Sequence, residues 1–142
     1  TLDTTTRKLF LNENISSTVS DTVGFINKLP TILVESFKST LEEAINADVL
    51  LHVIDYSNEN FIEKINTVDK ILHDLGLSKV PKILIKNKID ILNFTPDEIL
   101  LDTSYISQIE TSAKLGDGLD KLRHLLIKAS ETIINERDYI YV

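Results

Sequence analysis

The sequence predicts an α/β fold: a doubly wound, mostly parallel sheet with helices on both faces. Three observations point there. Two nearly continuous apolar runs, DVLLHVID at 48–55 and KILIKN at 82–87, read as strands buried on both faces of a parallel sheet. Stripes of helical period lie between and after them. The segments richest in chemistry-bearing residues fall directly after strands, where open α/β sheets hold their ligands. With 142 residues, the chain is long enough for one domain around one core.

Along the chain, KLFL at 8–11 and SSTVSDT at 16–22 read as short strands, and NENI between them is a turn signal, so a hairpin is expected. Residues 32–46 read as a helix, with Leu33, Phe37, Leu41, Ala44 and Ile45 on one stripe. After the strand at 48–55, a helix over about 59–75 buries Phe61, Ile65, Val68, Leu72 and Leu75, and Gly76 stops it. The strand at 82–87 follows Pro81. Thr95 and Pro96 open a helical turn over 96–101. YISQIE at 105–110 alternates as a strand. A last helix runs from about 118 to 134, carrying Leu119, Leu122, Leu126, Ala129 and Ile133 at helical spacing. The tail RDYIYV looks extended, so 135–142 is a tail or the start of a further segment.

Composition removes several function classes. The chain has no cysteine, which excludes a disulfide framework, a thiolate zinc site and a cysteine nucleophile, and fits a reducing, cytoplasmic setting. A net charge of −7 gives no overall attraction to nucleic acid or anionic membrane, so no sequence-specific DNA binding is expected. No apolar run approaches the roughly 20 residues of a spanning helix. His52 sits inside an apolar strand as a core or edge residue. His73 and His124 have no second ligand at useful spacing, so neither a histidine metal site nor a hydrolase triad is supported. Glu35, Glu42 and Glu43 read as a solvated helix face. Asp55 ends a strand and is better placed to cap the next loop than to reach a ligand.

Three short motifs carry the functional argument. In NKID, 87–90, Asp90 can accept two hydrogen bonds side by side, and guanine offers that pair through its ring N1–H and amino group. Lys88 can lay its aliphatic stem along a base, and the Asn87 amide can tie neighbouring loops together. In TSAK, 111–114, small Ser112 and Ala113 let backbone N–H groups approach an acceptor such as guanine O6, and Lys114 can cover the other face of the base. In DTVG, 21–24, Asp21 can hold Mg²⁺ through water, and the Gly24 N–H can meet a terminal phosphate. Each motif alone is also what a polar turn after a strand looks like. Their order, each after an expected strand, is what makes them informative.

That order resembles the G domain of the HflX family of GTPases, of the translation-factor class. TLDTTTR at 1–7 resembles the family's switch I, DTVGFI its switch II, and LVESFKSTLEEAINADVLLHVID the helix and strand that follow. The resemblance covers 1–134, a partial G domain. It implies GTP binding and slow hydrolysis with Mg²⁺, in a monomer that takes GTP and GDP and has the large ribosomal subunit as partner. Thr1 resembles the switch I threonine that meets Mg²⁺ and the γ-phosphate, with Thr5 and Thr6 as alternatives, so Thr1 and Gly24 carry the catalytic role. The family usually has proline where this chain has Thr4. Phe25 stands where many GTPases place a water-orienting glutamine. Positioning of the water would then fall to a backbone group, a monovalent cation or the ribosome.

No G-x-x-x-x-G-K-[ST] motif is present: the glycines stand at 24, 76, 116 and 118, and none is followed by lysine. In the resembled fold that loop, with its strand and helix, precedes residue 1, and the strand lies between TVSDT and LLHVID. The sequence is therefore expected to be part of a longer chain, and its sheet to show two exposed inner edges. The alternative is a non-catalytic α/β binding module that has lost nucleotide chemistry.

Overall fold

The computed structural model describes residues 5–21 and 46–141. The helix expected over 32–46, and Thr1, Gly24 and Phe25, lie outside the described residues. Strands β1 (Thr5–Phe10) and β2 (Ser16–Asp21) form the expected antiparallel hairpin, Thr5 opposite Asp21 and Phe10 opposite Ser16. Its connection is held by Asn12, whose Oδ1 accepts the backbone N–H groups of Asn14 at 2.9 Å and Ile15 at 2.7 Å. This is the local bonding that makes asparagine a turn residue.

A second sheet holds β3 (Leu50–Asp55), β4 (Lys82–Asn87) and β5 (Tyr105–Glu110), all parallel, with β4 in the centre. Helix α1 (Phe61–Asp74) connects β3 to β4, and α2 (Leu119–Tyr141) follows β5. The period of two along β4 sorts the core into two layers. Leu84 joins Ile54, Tyr56, Phe61 and Ile65 on the α1 face, whereas Ile83 and Ile85 join Ile109 and the α2 residues Leu122, Leu125 and Leu126 on the other. The sheet is thus wound on both faces, as expected.

The two sheets are separate. Among the described residues β3 pairs only with β4, and the hairpin pairs with neither β3 nor β5. This is the sheet interruption expected between TVSDT and LLHVID. Val53, expected to be buried on a two-sided strand, is 59% exposed.

Two expectations fail. Residues 95–102 are not helical. Ile99 and Leu101 both pack on the α1-side core while Leu100 between them is 91% exposed, an alternation that suits extended chain and not a helical turn. The tail is not extended either, because α2 runs through to Tyr141. Residues 119–141 contain no glycine or proline, and adding a residue to an existing helix costs far less than starting one.

Candidate nucleotide-binding site

The carboxyl ends of β3, β4 and β5 bring three segments together: Asp55–Asn58, Asn87–Ile91 and Thr111–Gly118. Strand β4 ends at Asn87, and the chain then turns through Lys88 in a left-handed backbone conformation, φ 69° and ψ 35°, into a 3₁₀ turn over Ile89–Ile91. For a residue with a Cβ this conformation costs about 1–2 kcal/mol. Neighbouring bonds offset the cost. The Ile89 N–H donates to the Thr111 carbonyl at 3.2 Å, and the Tyr56 N–H donates to the Asn87 carbonyl at 2.9 Å.

Asn87 ties the loops together, as its amide was expected to do. Its side-chain oxygen accepts the Thr111 hydroxyl at 3.0 Å and the Ala113 N–H at 2.9 Å. Asp90 is exposed, yet one of its oxygens is held: Oδ1 accepts the hydroxyl of fully buried Ser112 at 2.8 Å. The same Ser112 Oγ accepts the Leu115 N–H at 3.1 Å. The carboxylate is therefore aimed by a buried hydroxyl while remaining open to a ligand.

The loop after β5 closes tightly. The Ser112 N–H donates to the Asp117 carbonyl at 2.9 Å, and the Gly116 N–H to the Ser112 carbonyl at 2.7 Å. Gly118 has φ +79°, and a Cβ there would stand 2.2 Å from the Glu110 carbonyl oxygen. Only glycine fits that contact. Two backbone groups expected to face a ligand are thus engaged within the protein, Ser112 N–H with Asp117 and Ala113 N–H with Asn87. Ser112 contributes by orienting Asp90. The Ala113 N–H can serve a ligand acceptor by sharing its proton in a three-centre bond.

Lys88 Nζ lies 3.0 Å from Asp55 Oδ2. Asp55 also caps its own loop, as expected, through the N–H and hydroxyl of Ser57. Burial alone would raise the Asp55 carboxyl, but the bonds from Ser57 and Lys88 outweigh it and hold the group below its ordinary value. Lys114 is exposed at the rim. Asp21 is exposed at the last position of β2, with Thr5 opposite it, while the Thr6 hydroxyl is 3.0 Å from that of Ser20 within the hairpin. Among the described residues no three acidic or histidine groups cluster as a metal site. A lone acid suits Mg²⁺, which takes one or two carboxylates and fills its remaining positions with phosphate and water.

The sequence assigned no bond to Thr111 within TSAK, marked Gly118 only as part of the GDG turn into the last helix, and did not foresee the Lys88 contact of Asp55. Asp55 could have been found from the pairing of two strand ends, since it lies opposite Asn87 in register.

A model of the 50S ribosome-binding GTPase family matches residues 1–88. A GTPase HflX from Caldanaerobacter subterraneus subsp. tengcongensis is 50% identical over 122 residues, covering 86% of this chain and 27% of that protein. The chain belongs to the HflX family of GTPases. A second HflX, from Lacrimispora saccharolytica, is 44% identical over 143 residues, 99% of this chain and 33% of that protein. The HflX-type chain thus spans about a third or less of the length of these relatives. Its backbone also resembles the crystal structure of a GTP-binding protein from Sulfolobus solfataricus in complex with GDP, with a TM-score of 0.75 and 26% identity over 91% of this chain and 45% of that one. The structure and its neighbours agree on the P-loop GTPase type of α/β fold. Among the described residues no helix is long and apolar enough to cross a membrane.

Proposed function

We propose that this chain supplies the base-recognition half of a GTP-binding and GTP-hydrolysing site in a longer HflX-type protein that acts on the large ribosomal subunit in the cytoplasm. The carrying observation is Asp90, an exposed carboxylate oriented by buried Ser112 at the carboxyl end of the sheet. In this reading Asp90 takes the N1–H and amino group of guanine. Asn87 holds the loops together, Lys88 and Lys114 cover the two faces of the base, and Ala113 N–H serves O6. Asp21 and Thr1 hold Mg²⁺, and Gly24 meets the γ-phosphate. Bound Mg²⁺ would neutralise phosphate charge. Because Phe25 cannot hydrogen-bond water, a backbone group, a monovalent cation or the ribosome orients the nucleophile. The functional unit spans 1–134 and acts as a monomer. Its phosphate-binding loop lies in chain preceding Thr1.

Base choice gives the sharpest test. In the longer protein, Asp90→Asn should weaken GDP by about a hundredfold, since a charged, bidentate partner is lost. The same variant should gain relative affinity for xanthosine diphosphate, whose exocyclic oxygen needs a donor. Unchanged GDP affinity removes Asp90 from its role. A fluorescent-GDP titration of protein extended N-terminally by one strand–loop–helix unit tests the whole reading: a folded protein that ignores GDP sinks it. Co-sedimentation with large ribosomal subunits in the presence of a non-hydrolysable GTP analogue tests the partner.

A further inference from the structure

Asp55 ends β3 and lies opposite Asn87 in the β3–β4 register. Its carboxylate is divided between two tasks. Oδ1 accepts the Ser57 N–H at 3.0 Å and the Ser57 hydroxyl at 2.5 Å, while Oδ2 meets Lys88 Nζ at 3.0 Å. A second link joins the same two segments, from the Tyr56 N–H to the Asn87 carbonyl at 2.9 Å. Lys88 is the one non-glycine residue at positive φ among the described residues. Its stem is long and rotatable, with an ammonium that would otherwise stay in water. A carboxylate already fixed by Ser57 gives that ammonium a single destination.

We propose that Asp55 is a positioning residue for the base site. By tethering the Lys88 ammonium it holds the lysine stem extended as a preformed apolar surface for the base, and it keeps the Asn87–Asp90 turn in its left-handed form before a nucleotide arrives. This rests on the reading of that turn as the guanine site. The pair is partly exposed, with 51% of the Lys88 side chain and 34% of the Asp55 side chain accessible. A partly exposed pair adds little to global stability. Its effect belongs in nucleotide residence, because ordering a flexible side chain beforehand removes a cost that binding would otherwise carry.

The test is the rate of fluorescent-GDP release from the longer, nucleotide-binding protein. Asp55→Asn should speed release by about tenfold, equivalent to about 1.4 kcal/mol. Lys88→Met, which keeps an apolar stem and loses the charge, should do the same. If Asp55 acts through Lys88, the double variant should release GDP within about twofold of either single variant. Ser57→Ala removes one hydroxyl bond but keeps the Ser57 N–H bond to Oδ1 and the Lys88 pair, so its release rate should fall between wild type and Asp55→Asn. Release from Asp55→Asn at the wild-type rate overturns the proposal, as do effects that multiply in the double variant or a Ser57→Ala rate as fast as Asp55→Asn. Should Asp55→Asn fail to fold, Asp55→Glu keeps the charge within reach of the mobile ammonium. That variant should release GDP at close to the wild-type rate, and a tenfold acceleration in it counts against the idea. Absence of GDP binding by the wild-type protein overturns the base-site reading itself, and this inference with it.

Discussion

The two ends of the three-stranded sheet both carry polar networks, and they are finished differently. At the carboxyl end, Ser112 orients Asp90 and Asn87 joins two loops, yet the Asp90 side chain is left exposed. At the amino end, His52 Nδ1 lies 2.7 Å from the Tyr105 hydroxyl, which donates to Asp69 Oδ1 at 2.6 Å. Lys82 Nζ sits 5.0 Å from the centre of the Tyr105 ring. His52 and Lys82 are buried there. Because Asp69 as a carboxylate only accepts, Tyr105 must give it the proton, and the tyrosine oxygen then accepts from His52 Nδ1–H. Burial first, then the hydrogen bond to Asp69 and the Asp69 charge, push the Tyr105 phenol well above its ordinary value. The amino-end network closes on itself and reads as structural. The carboxyl-end network keeps an aimed group exposed, and the proposed site rests on that difference more than on polarity.

The largest effect expected from breaking this comparison is at Gly118. A methyl group there would meet the Glu110 carbonyl at 2.2 Å in a backbone conformation that side chains rarely adopt. Since the opposing atom is backbone, it cannot rotate away. Gly118→Ala should cost about 3 kcal/mol, read from the midpoint of a denaturant titration. It should also displace Ser112 from Asp90, so nucleotide affinity should fall with stability. A stable variant would show that the 116–118 turn has slack and that Asp90 is not aimed by a rigid loop.

Tyr105→Phe comes next and should separate the two ends. Removing one hydroxyl leaves Asp69 and His52 each short of a partner, and the cost should be about 2 kcal/mol of stability. Nucleotide release should change by no more than about twofold, because the hydroxyl's hydrogen bonds go to His52 and Asp69 and not to the carboxyl-end loops. A large change in release would mean that the amino-end network is coupled to the site and is not merely structural.

How much of this was legible in sequence follows the range of the forces involved. Strands 82–87 and 105–110 were readable residue for residue, because burial imposes a local pattern. That Asn87 ties neighbouring loops was readable from the chemistry of its amide, and that Asp90 closely follows a strand was readable from the order of the segments. Loop 95–102 was misread because Pro96 after Thr95 is a helix-start signal, while the decision was made by where Ile99 and Leu101 land on the core. Leu125, absent from the expected stripe of the last helix, packs on Ile83 and Ile85. The Asp55–Lys88 pair and the His52–Tyr105–Asp69 chain join residues 33, 53 and 36 positions apart. No local period carries such pairings; the parallel register β3–β4–β5 and the packing of α1 on that sheet create them.

The smallest effect is a pH dependence that distinguishes the two ends without a mutation. Burial is the main cause that lowers the His52 pKa; Asp69 from α1 works against it, and Lys82 from β4 adds to it. His52 is therefore held neutral in the fold, while in the unfolded chain it titrates near 6.5. The stability it contributes is present above that value and is lost as pH falls below it, at no more than about 1.4 kcal/mol per pH unit. Asp55 is shifted in the other sense for its type, held ionised below its ordinary 3.8. Its contribution is present above that value and is lost only as pH falls further. Acid titration of stability should thus fall in two windows, His52 at the amino end first and the carboxylates held low, Asp55 at the carboxyl end and Asp102 before β5, later. His52→Gln should flatten the first window, because glutamine offers an N–H to Tyr105 and does not titrate. If the first window survives in His52→Gln, some other group carries it, and the closed amino-end network is not the acid-sensitive part of the fold.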